Sequence, residues 1–280
     1  MSPSSPTPEA GPRRSGWYWV ALVILKPLLL LFTKRDWQGA DHLPASGGFV
    51  ATVNHVSHVD PFAFAHFLDA HRRWPRFMGK EAVFRVPIGG RIIKGAGQIP
   101  VYRGTADAAV ALRAAIAAVR AGECVVVYPE GTLTRDPGVW PMRGKSGAAR
   151  IALETGCPII PCAQWGPNQI LPPYGRRVRL FPRSVMHIWA GPPVHLDDLR
   201  GQPVTKELLD EATARVMADI TGLLERIRGE RAPIERFDPV AVGLPEYGVP
   251  PAIERERQDA GPGDPPNPND DTMNQHREPA

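Results

Sequence analysis

The chain is predicted to be an α/β protein: a largely parallel central sheet flanked by helices, with an N-terminal apolar helix that associates with a membrane. Three observations carry this. Short apolar runs of strand length alternate with helical periodicities through the middle of the chain. The polar motifs each follow such a strand, where open sheets of this class collect ligands. Residues 17–32 form a sixteen-residue stretch that is apolar except for Lys26.

Taken in order, residues 1–14 are an expected flexible N-terminus and residues 15–35 an interfacial membrane segment. The apolar stretch is short of the ~20 residues of a straight span, and Pro27 lies inside it. Trp17, Tyr18 and Trp19 at one end suit a membrane–water boundary, and Arg13, Arg14, Lys34 and Arg35 flank the stretch. A marginal or re-entrant span, a cleaved leader and an ordinary core helix are the rival readings; no A-x-A site follows the run. The folded body is placed at residues 36–240. Residues 48–53 read as a buried strand, 61–70 as a helix and 98–101 as a short strand. Residues 105–121 read as an alanine-rich helix capped by Thr105 and stopped by Gly122. A buried strand follows at 123–128, a helix at 145–155 and another strand at 158–163. Residues 178–181 and 185–190 read as two more strands. Residues 205–228 read as an amphipathic helix with Leu209, Ala212, Val216, Ile220, Leu223 and Ile227 on one face.

The end of the chain differs in kind. Residues 245–280 hold eight acids, three arginines and eight prolines with almost no large apolar residues. Such a composition cannot offset its ordering entropy, so a disordered acidic tail is expected. Its net charge is −5 against +4 for the whole chain, leaving +9 on the rest. Between residues 72 and 103 lie Arg72, Arg73, Arg76, Lys80, Arg85, Arg91, Lys94 and Arg103 against the single acid Glu81. This is either a solvated face or a surface for anions such as lipid headgroups or phosphate esters. No groove-reading motif accompanies it, so nucleic acid is not an expected partner. Three cysteines in 280 residues exclude a disulfide scaffold, and the absence of a 20–50-residue repeat argues against solenoids and propellers.

Four segments carry polar chemistry or its scaffold. The first, residues 54–60, is Asn-His-Val-Ser-His-Val-Asp. A histidine takes a proton near neutral pH, and a nearby carboxylate can hold its far ring nitrogen. Pro61 favours an extended Asp60, so the segment can turn Asp60 back toward His55. His55, His58 and Asp60 are also a candidate three-ligand metal set, as in a metallo-hydrolase, though the spacing matches neither H-x-H-x-D-H nor H-E-x-x-H. The second, residues 97–103, runs Gly-Gln-Ile-Pro-Val-Tyr-Arg and ends a strand on Arg103, a guanidinium suited to phosphate. The third, residues 128–132, is Tyr-Pro-Glu-Gly-Thr. Gly131 allows a tight turn, Glu130 accepts from hydroxyls and Thr132 donates. The fourth, residues 159–161, is the apolar strand Ile-Ile-Pro.

In this order and spacing the four blocks resemble the glycerophosphate/lysophosphatidate acyltransferase family, over roughly residues 49–162. The resemblance implies an acyltransferase domain at 36–240. It implies that His55 acts as general base and Asp60 as its partner. Arg103, Glu130, Gly131 and Thr132 would then contribute to acceptor and phosphate binding, and Lys145, in Lys-Ser-Gly-Ala, would fill a later family lysine. The reaction implied is transfer of a fatty acyl chain from acyl-coenzyme A or acyl carrier protein to the hydroxyl of 1-acyl-glycerol-3-phosphate, without a metal, a cofactor or an acyl-enzyme. The implied partners are that donor, a lysophospholipid acceptor and an anionic membrane surface at the cytoplasmic face. One departure bears on the acceptor. The family commonly has arginine directly after Glu-Gly-Thr, whereas Leu133 stands here and the next arginine is Arg135. Another lipid or glycolipid acceptor is therefore the alternative.

Overall fold

The computed structural model describes residues 15–102, 108–245, 249–251 and 253. The chain divides into two compact units, Met1–Asp238 and Pro239–Ala280. In the second, Gly243 and Leu244 donate to the carbonyls of Val240 and Pro239 to close a turn. Most of the acidic tail lies outside the described residues, as do residues 1–14, Arg103 and Thr105.

The first unit is built on seven strands: β1 Thr33–Gln38, β2 Phe49–Val53, β3 Pro75–Lys80, β4 Ile99–Val101, β5 Cys124–Val127, β6 Ile159–Trp165 and β7 Ser184–Ala190. They lie in the order β1-β7-β6-β2-β5-β3-β4, and every neighbouring pair is parallel except β6 with β7. Among the described residues seven α-helices accompany them: α1 Gly16–Phe32, α2 Asp60–Ala70, α3 Gly89–Gly95, α4 Ala108–Arg120, α5 Gly147–Thr155, α6 Pro167–Ile170 and α7 Lys206–Arg228.

The central strands are apolar on both faces because helices cover both, as parallel sheets require. Phe49, Ala51 and Val53 of β2 pack with Phe64, Phe67 and Leu68 of α2. Val50, one position out of phase, packs with Ala115 of α4, Ile151 of α5 and Ile220 of α7 on the other side. Cys124, Cys157 and Cys162 are free, buried thiols.

Several expectations change. Residues 178–181 form no strand. β7 is hydrogen-bonded to β1 on one edge and β6 on the other, so this alternating Val-Arg-Leu-Phe run has no edge there to join. β1 was assigned from sequence to the apolar segment as far as residue 35, yet Thr33, Lys34 and Arg35 pair with Ser184, Val185 and Met186. Charged edge strands of this kind hide from hydrophobic patterning. β3 and α3 fall within the basic cluster and were obscured in the same way. That cluster is itself divided. Arg73 is buried over the Phe49 ring and donates to the Gly47 and Gly122 carbonyls. Arg76 bridges Glu123 and the Gly97 carbonyl. Both therefore serve the fold, while Lys80, Arg91 and Lys94 stay exposed.

The apolar helix α1 runs through Pro27 as one element. Among the described residues no helix is long and apolar enough to cross a membrane. Its one charge, Lys26, turns toward α2 and lies 3.8 Å from the buried Asp69 carboxylate, which also accepts from the Tyr18 hydroxyl at 3.3 Å. These contacts set the rotation of α1 on the domain.

Candidate active site

The sheet register assembles the site. β2 lies between β5 and β6 and is parallel to both, with Thr52 opposite Val127 and Val53 opposite Cys162. The carboxyl ends of the three strands therefore emerge side by side, and the segments that follow them converge. Residues 54–60 follow β2, residues 128–132 follow β5, and Gln164 is the last residue but one of β6.

Asn54 and Gln164 form a reciprocal pair across 110 residues of sequence. Asn54 Nδ2 donates to the Gln164 carbonyl at 3.0 Å, Gln164 N donates to Asn54 Oδ1 at 2.8 Å, and Gln164 Nε2 donates to the Asn54 carbonyl at 2.9 Å. Both residues are buried, so these bonds act in a low-dielectric setting and fix where the chain leaves β2.

The turn that follows folds back as anticipated. Asp60 opens α2 and is fully buried. Its Oδ2 lies 2.9 Å from His55 Nδ1 and accepts from the backbone N–H groups of Val56 at 2.6 Å and Ser57 at 2.8 Å. Burial pushes the Asp60 carboxyl above its ordinary range, against the pull of His55 and the two amides. Ser57 Oγ donates to the Leu171 carbonyl at 2.7 Å and ties the turn to the chain after α6. The imidazole of His55 keeps 17% of its surface exposed and lies 4.1 Å, nearly parallel, over the Tyr128 ring. With Nδ1 turned to Asp60, Nε2 is the nitrogen left to meet a substrate. His58 is exposed on the turn, and among the described residues no three His, Cys, Asp or Glu side chains gather as metal ligands. The candidate metal set of His55, His58 and Asp60 is thus not assembled.

Glu130 does something other than expected. It was placed at the substrate, as an acceptor for hydroxyls. It is instead buried at 3% exposure, with Oε1 accepting the backbone N–H of His55 at 2.8 Å and Oε2 that of Met142 at 3.1 Å. The Thr134 N–H donates to the His55 carbonyl at 2.8 Å, so the loop after β5 grips His55 at both backbone groups. Burial pushes the Glu130 carboxyl up to about 8, with Asp60 and Asp136 acting in the same direction and the two amides opposing. Gly131 adopts φ +71°, and a Cβ there would come 3.2 Å from the Lys145 stem. Lys145 therefore lies over Gly131, and its backbone N–H bonds the Pro129 carbonyl at 2.8 Å. Thr132 is half-buried in the same loop. Arg103 is outside the described residues; β4, the strand before it, ends on the same carboxyl edge of the sheet.

Leu133 and Arg135, which depart from the family pattern, are both buried. Arg135 Nε donates to the Tyr174 hydroxyl at 3.3 Å, and that hydroxyl donates to the Leu133 carbonyl at 2.9 Å. Sequence reasoning named neither Gln164 nor Tyr174 as part of this neighbourhood. Each is a lone polar residue far from the motifs, and only pairing through the fold reveals it.

A mostly parallel α/β sheet carries, in the one turn after β2, a histidine whose ring nitrogen meets a buried carboxylate, at the carboxyl edge where such sheets collect ligands. Residues 34–165 match the family model described as Acyltransferase. Among relatives, the chain is 29% identical over 162 residues to a chloroplastic 1-acyl-sn-glycerol-3-phosphate acyltransferase of Brassica napus, covering 57% of this chain and 45% of that protein. It is 27% identical over 133 residues to a 1-acyl-sn-glycerol-3-phosphate acyltransferase of Borreliella burgdorferi, covering 46% of this chain and 50% of that one. The chain thus spans half or less of these relatives' lengths. The fold is that of the 1-acyl-sn-glycerophosphate acyltransferase PlsC of Thermotoga maritima, with TM-score 0.56 and 22% identity over 78% of this chain and 83% of that one.

Proposed function

We propose that the protein transfers a fatty acyl chain from the thioester of acyl-coenzyme A or acyl carrier protein to the hydroxyl of 1-acyl-glycerol-3-phosphate, giving phosphatidate. The observation that carries this is the 2.9 Å contact between His55 Nδ1 and the buried Asp60 carboxylate. In the proposed mechanism Nδ1–H donates to Asp60, so the lone pair of Nε2 faces the acceptor. Nε2 removes the hydroxyl proton as the oxygen attacks the thioester carbonyl. Asp60 stabilises the imidazolium that forms. The tetrahedral adduct collapses by breaking the carbon–sulfur bond, and the thiolate leaves with the proton held on Nε2. General-base help of this kind contributes ~10²–10⁴ in rate.

The other residues divide by position. Glu130 and Tyr128 hold the backbone and ring of His55. Gly131, Thr132, Lys145 and Arg103 are proposed for the acceptor headgroup, and Lys145 and Arg103 carry the positive charge its phosphate needs. The exposed apolar face of α1 is proposed to rest in the membrane–water boundary at the cytoplasmic face, which would bring the site to its lipid.

A second acceptor reading has one specific observation behind it. Where the family commonly has arginine, Leu133 is buried at 4% exposure, and Arg135 is held inward by Tyr174. A different lysolipid or a glycolipid would need no guanidinium there. Thiol release from palmitoyl-coenzyme A, with and without lysophosphatidate, decides the matter. Release that needs both lysophosphatidate and His55 supports the first acceptor. Release that needs His55 and ignores lysophosphatidate supports the second. Release indifferent to His55→Ala overturns the mechanism.

A further inference from the structure

Helix α1 is not alone in presenting apolar side chains to solvent. Its outward face shows Trp17, Trp19, Val23, Ile24, Leu28 and Leu31. Two loops do the same. The first follows β3 and exposes Val83, Val86 and Ile88, the last at 72%. The second, residues 176–183, exposes Val178 and Phe181, the latter at 70%. Large apolar side chains gathered this way mark interaction surfaces more often than chance exposure does.

The first loop reaches the N-terminal end of α1 through α3, and the second meets the C-terminal end directly. At the N-terminal end Trp17 packs against Gly95 of α3 so closely that a Cβ on Gly95 would fall 2.2 Å from its ring. The first loop is folded on α3, since a Cβ on Gly90 would fall 2.3 Å from the Phe84 carbonyl oxygen. At the C-terminal end the Phe32 and Phe181 rings meet edge to face at 5.7 Å. Arg183 donates to the Leu30 carbonyl at 2.7 Å and the Thr33 carbonyl at 2.6 Å, closing the helix end. The helix between them is about 25 Å long.

Charge identifies the occupant. Residues 80–94 contain Lys80, Arg85, Arg91 and Lys94 against the single acid Glu81, which pairs with Arg85, and Lys80, Arg91 and Lys94 are exposed. Residues 171–186 contain Arg176, Arg177, Arg179 and Arg183 and no acid, and all four are exposed. Apolar tips ringed by cations, with two tryptophans at one end, match an anionic lipid bilayer. Ile88 adds backbone evidence. It holds φ +63°, a conformation disfavoured for a β-branched residue, while exposing an apolar side chain to water.

We infer that the protein docks on an anionic bilayer through one three-part surface, in which the loops 83–88 and 176–183 insert beside α1. This rests on the membrane reading of α1 given above and extends it. Both loops leave the sheet at its carboxyl edge, after β3 and after β6, and the Ser57–Leu171 bond ties the second to the His55 turn. Docking would thus set the mouth of the site at the lipid headgroups.

The test is co-sedimentation of the full chain with phosphatidylcholine vesicles containing about 30% phosphatidylglycerol. Three double variants are compared: Val86→Asp with Ile88→Asp, Val178→Asp with Phe181→Asp, and Val23→Asp with Leu31→Asp. All six side chains are exposed, so thermal melts should stay near wild type. Each loop pair should lower vesicle partitioning about tenfold or more, because it removes inserted apolar surface and adds repulsion. Turnover on detergent-dispersed substrate should be unchanged. If only the α1 pair loses binding, the loops are not part of the surface and the inference is overturned while the α1 reading stands. If none of the three loses binding, both fail. If sedimentation of the vesicle-free protein instead reveals a dimer that the loop pairs dissociate, the surface is covered by a second copy and the inference is overturned.

Discussion

The Glu130 carboxylate receives the backbone N–H of His55 at 2.8 Å, from a loop on the neighbouring strand. Its other oxygen takes the Met142 N–H at 3.1 Å. Both oxygens of Glu130 are thus taken up by backbone amides, and in the proposed mechanism it is a positioning residue for His55. A glutamine there keeps one carbonyl acceptor but sets two N–H bonds against the other amide, where the acid carries at most one O–H.

Glu130→Gln should thus lower kcat by about 10–100-fold with little change in KM, because the imidazole is displaced rather than removed. It should also change how stability depends on pH. Glu130 is held near 8 in the folded protein, above its ordinary 4.5. Between these values the folded state keeps a proton the unfolded chain has lost, so stability falls as pH rises through that window. Melts of wild type and variant from about pH 5 to about pH 8 check this. The wild-type Tm should drop further across the range, and parallel curves would refute the assignment.

His55→Ala should reduce acyl transfer by ~10²–10⁴ while the fold persists, since the side chain removed is a partly exposed imidazole. Thiol release and far-UV circular dichroism measure the two effects. Transfer at near-normal rate with intact dichroism would remove His55 from the chemistry.

Asp60→Ala should be costlier to the fold than His55→Ala. It strips the acceptor from the buried N–H groups of Val56 and Ser57, at about 1–3 kcal/mol for each left unpaired. Asp60→Asn keeps an acceptor for those amides but cannot balance an imidazolium. Its Tm should lie between wild type and Asp60→Ala, while its kcat should fall nearly as far as that of His55→Ala. Chemical denaturation with parallel kinetics separates the structural loss from the catalytic one.

Arg103→Ala should raise the acceptor KM more than the acyl-donor KM if its guanidinium meets the acceptor phosphate. A larger rise for the donor would move it to the coenzyme phosphates. Steady-state kinetics with each substrate varied in turn distinguishes these.

Much of the site was legible because it lies in short contiguous blocks. His55 and Asp60 are five residues apart, and a turn before Pro61 brings them together by local geometry. The central strands were legible too, since burial on both faces makes them apolar runs. The helix at Lys206–Arg228 showed its 3.6-residue stripe plainly. The edge strand β1 was not legible: it reads Thr-Lys-Arg-Asp-Trp-Gln, which carries no apolar period, whereas the opposite edge strand β4 is the short strand read at 98–101.

The role of Glu130 shows where linear reading stops. From the motif it is an exposed acceptor on a turn. In the fold, β5 sits beside β2, and the carboxylate is swallowed between His55 and Met142. The Asn54–Gln164 clamp and the inward turn of Lys26 to Asp69 have the same origin. Which residues have the chemistry to take a proton or bind a phosphate is a property of side-chain type and local spacing, and it is written in the chain. Which of them face substrate, and which hold the others in place, depends on strand order and register. Those are set by long-range packing of both sheet faces, which no local pattern contains.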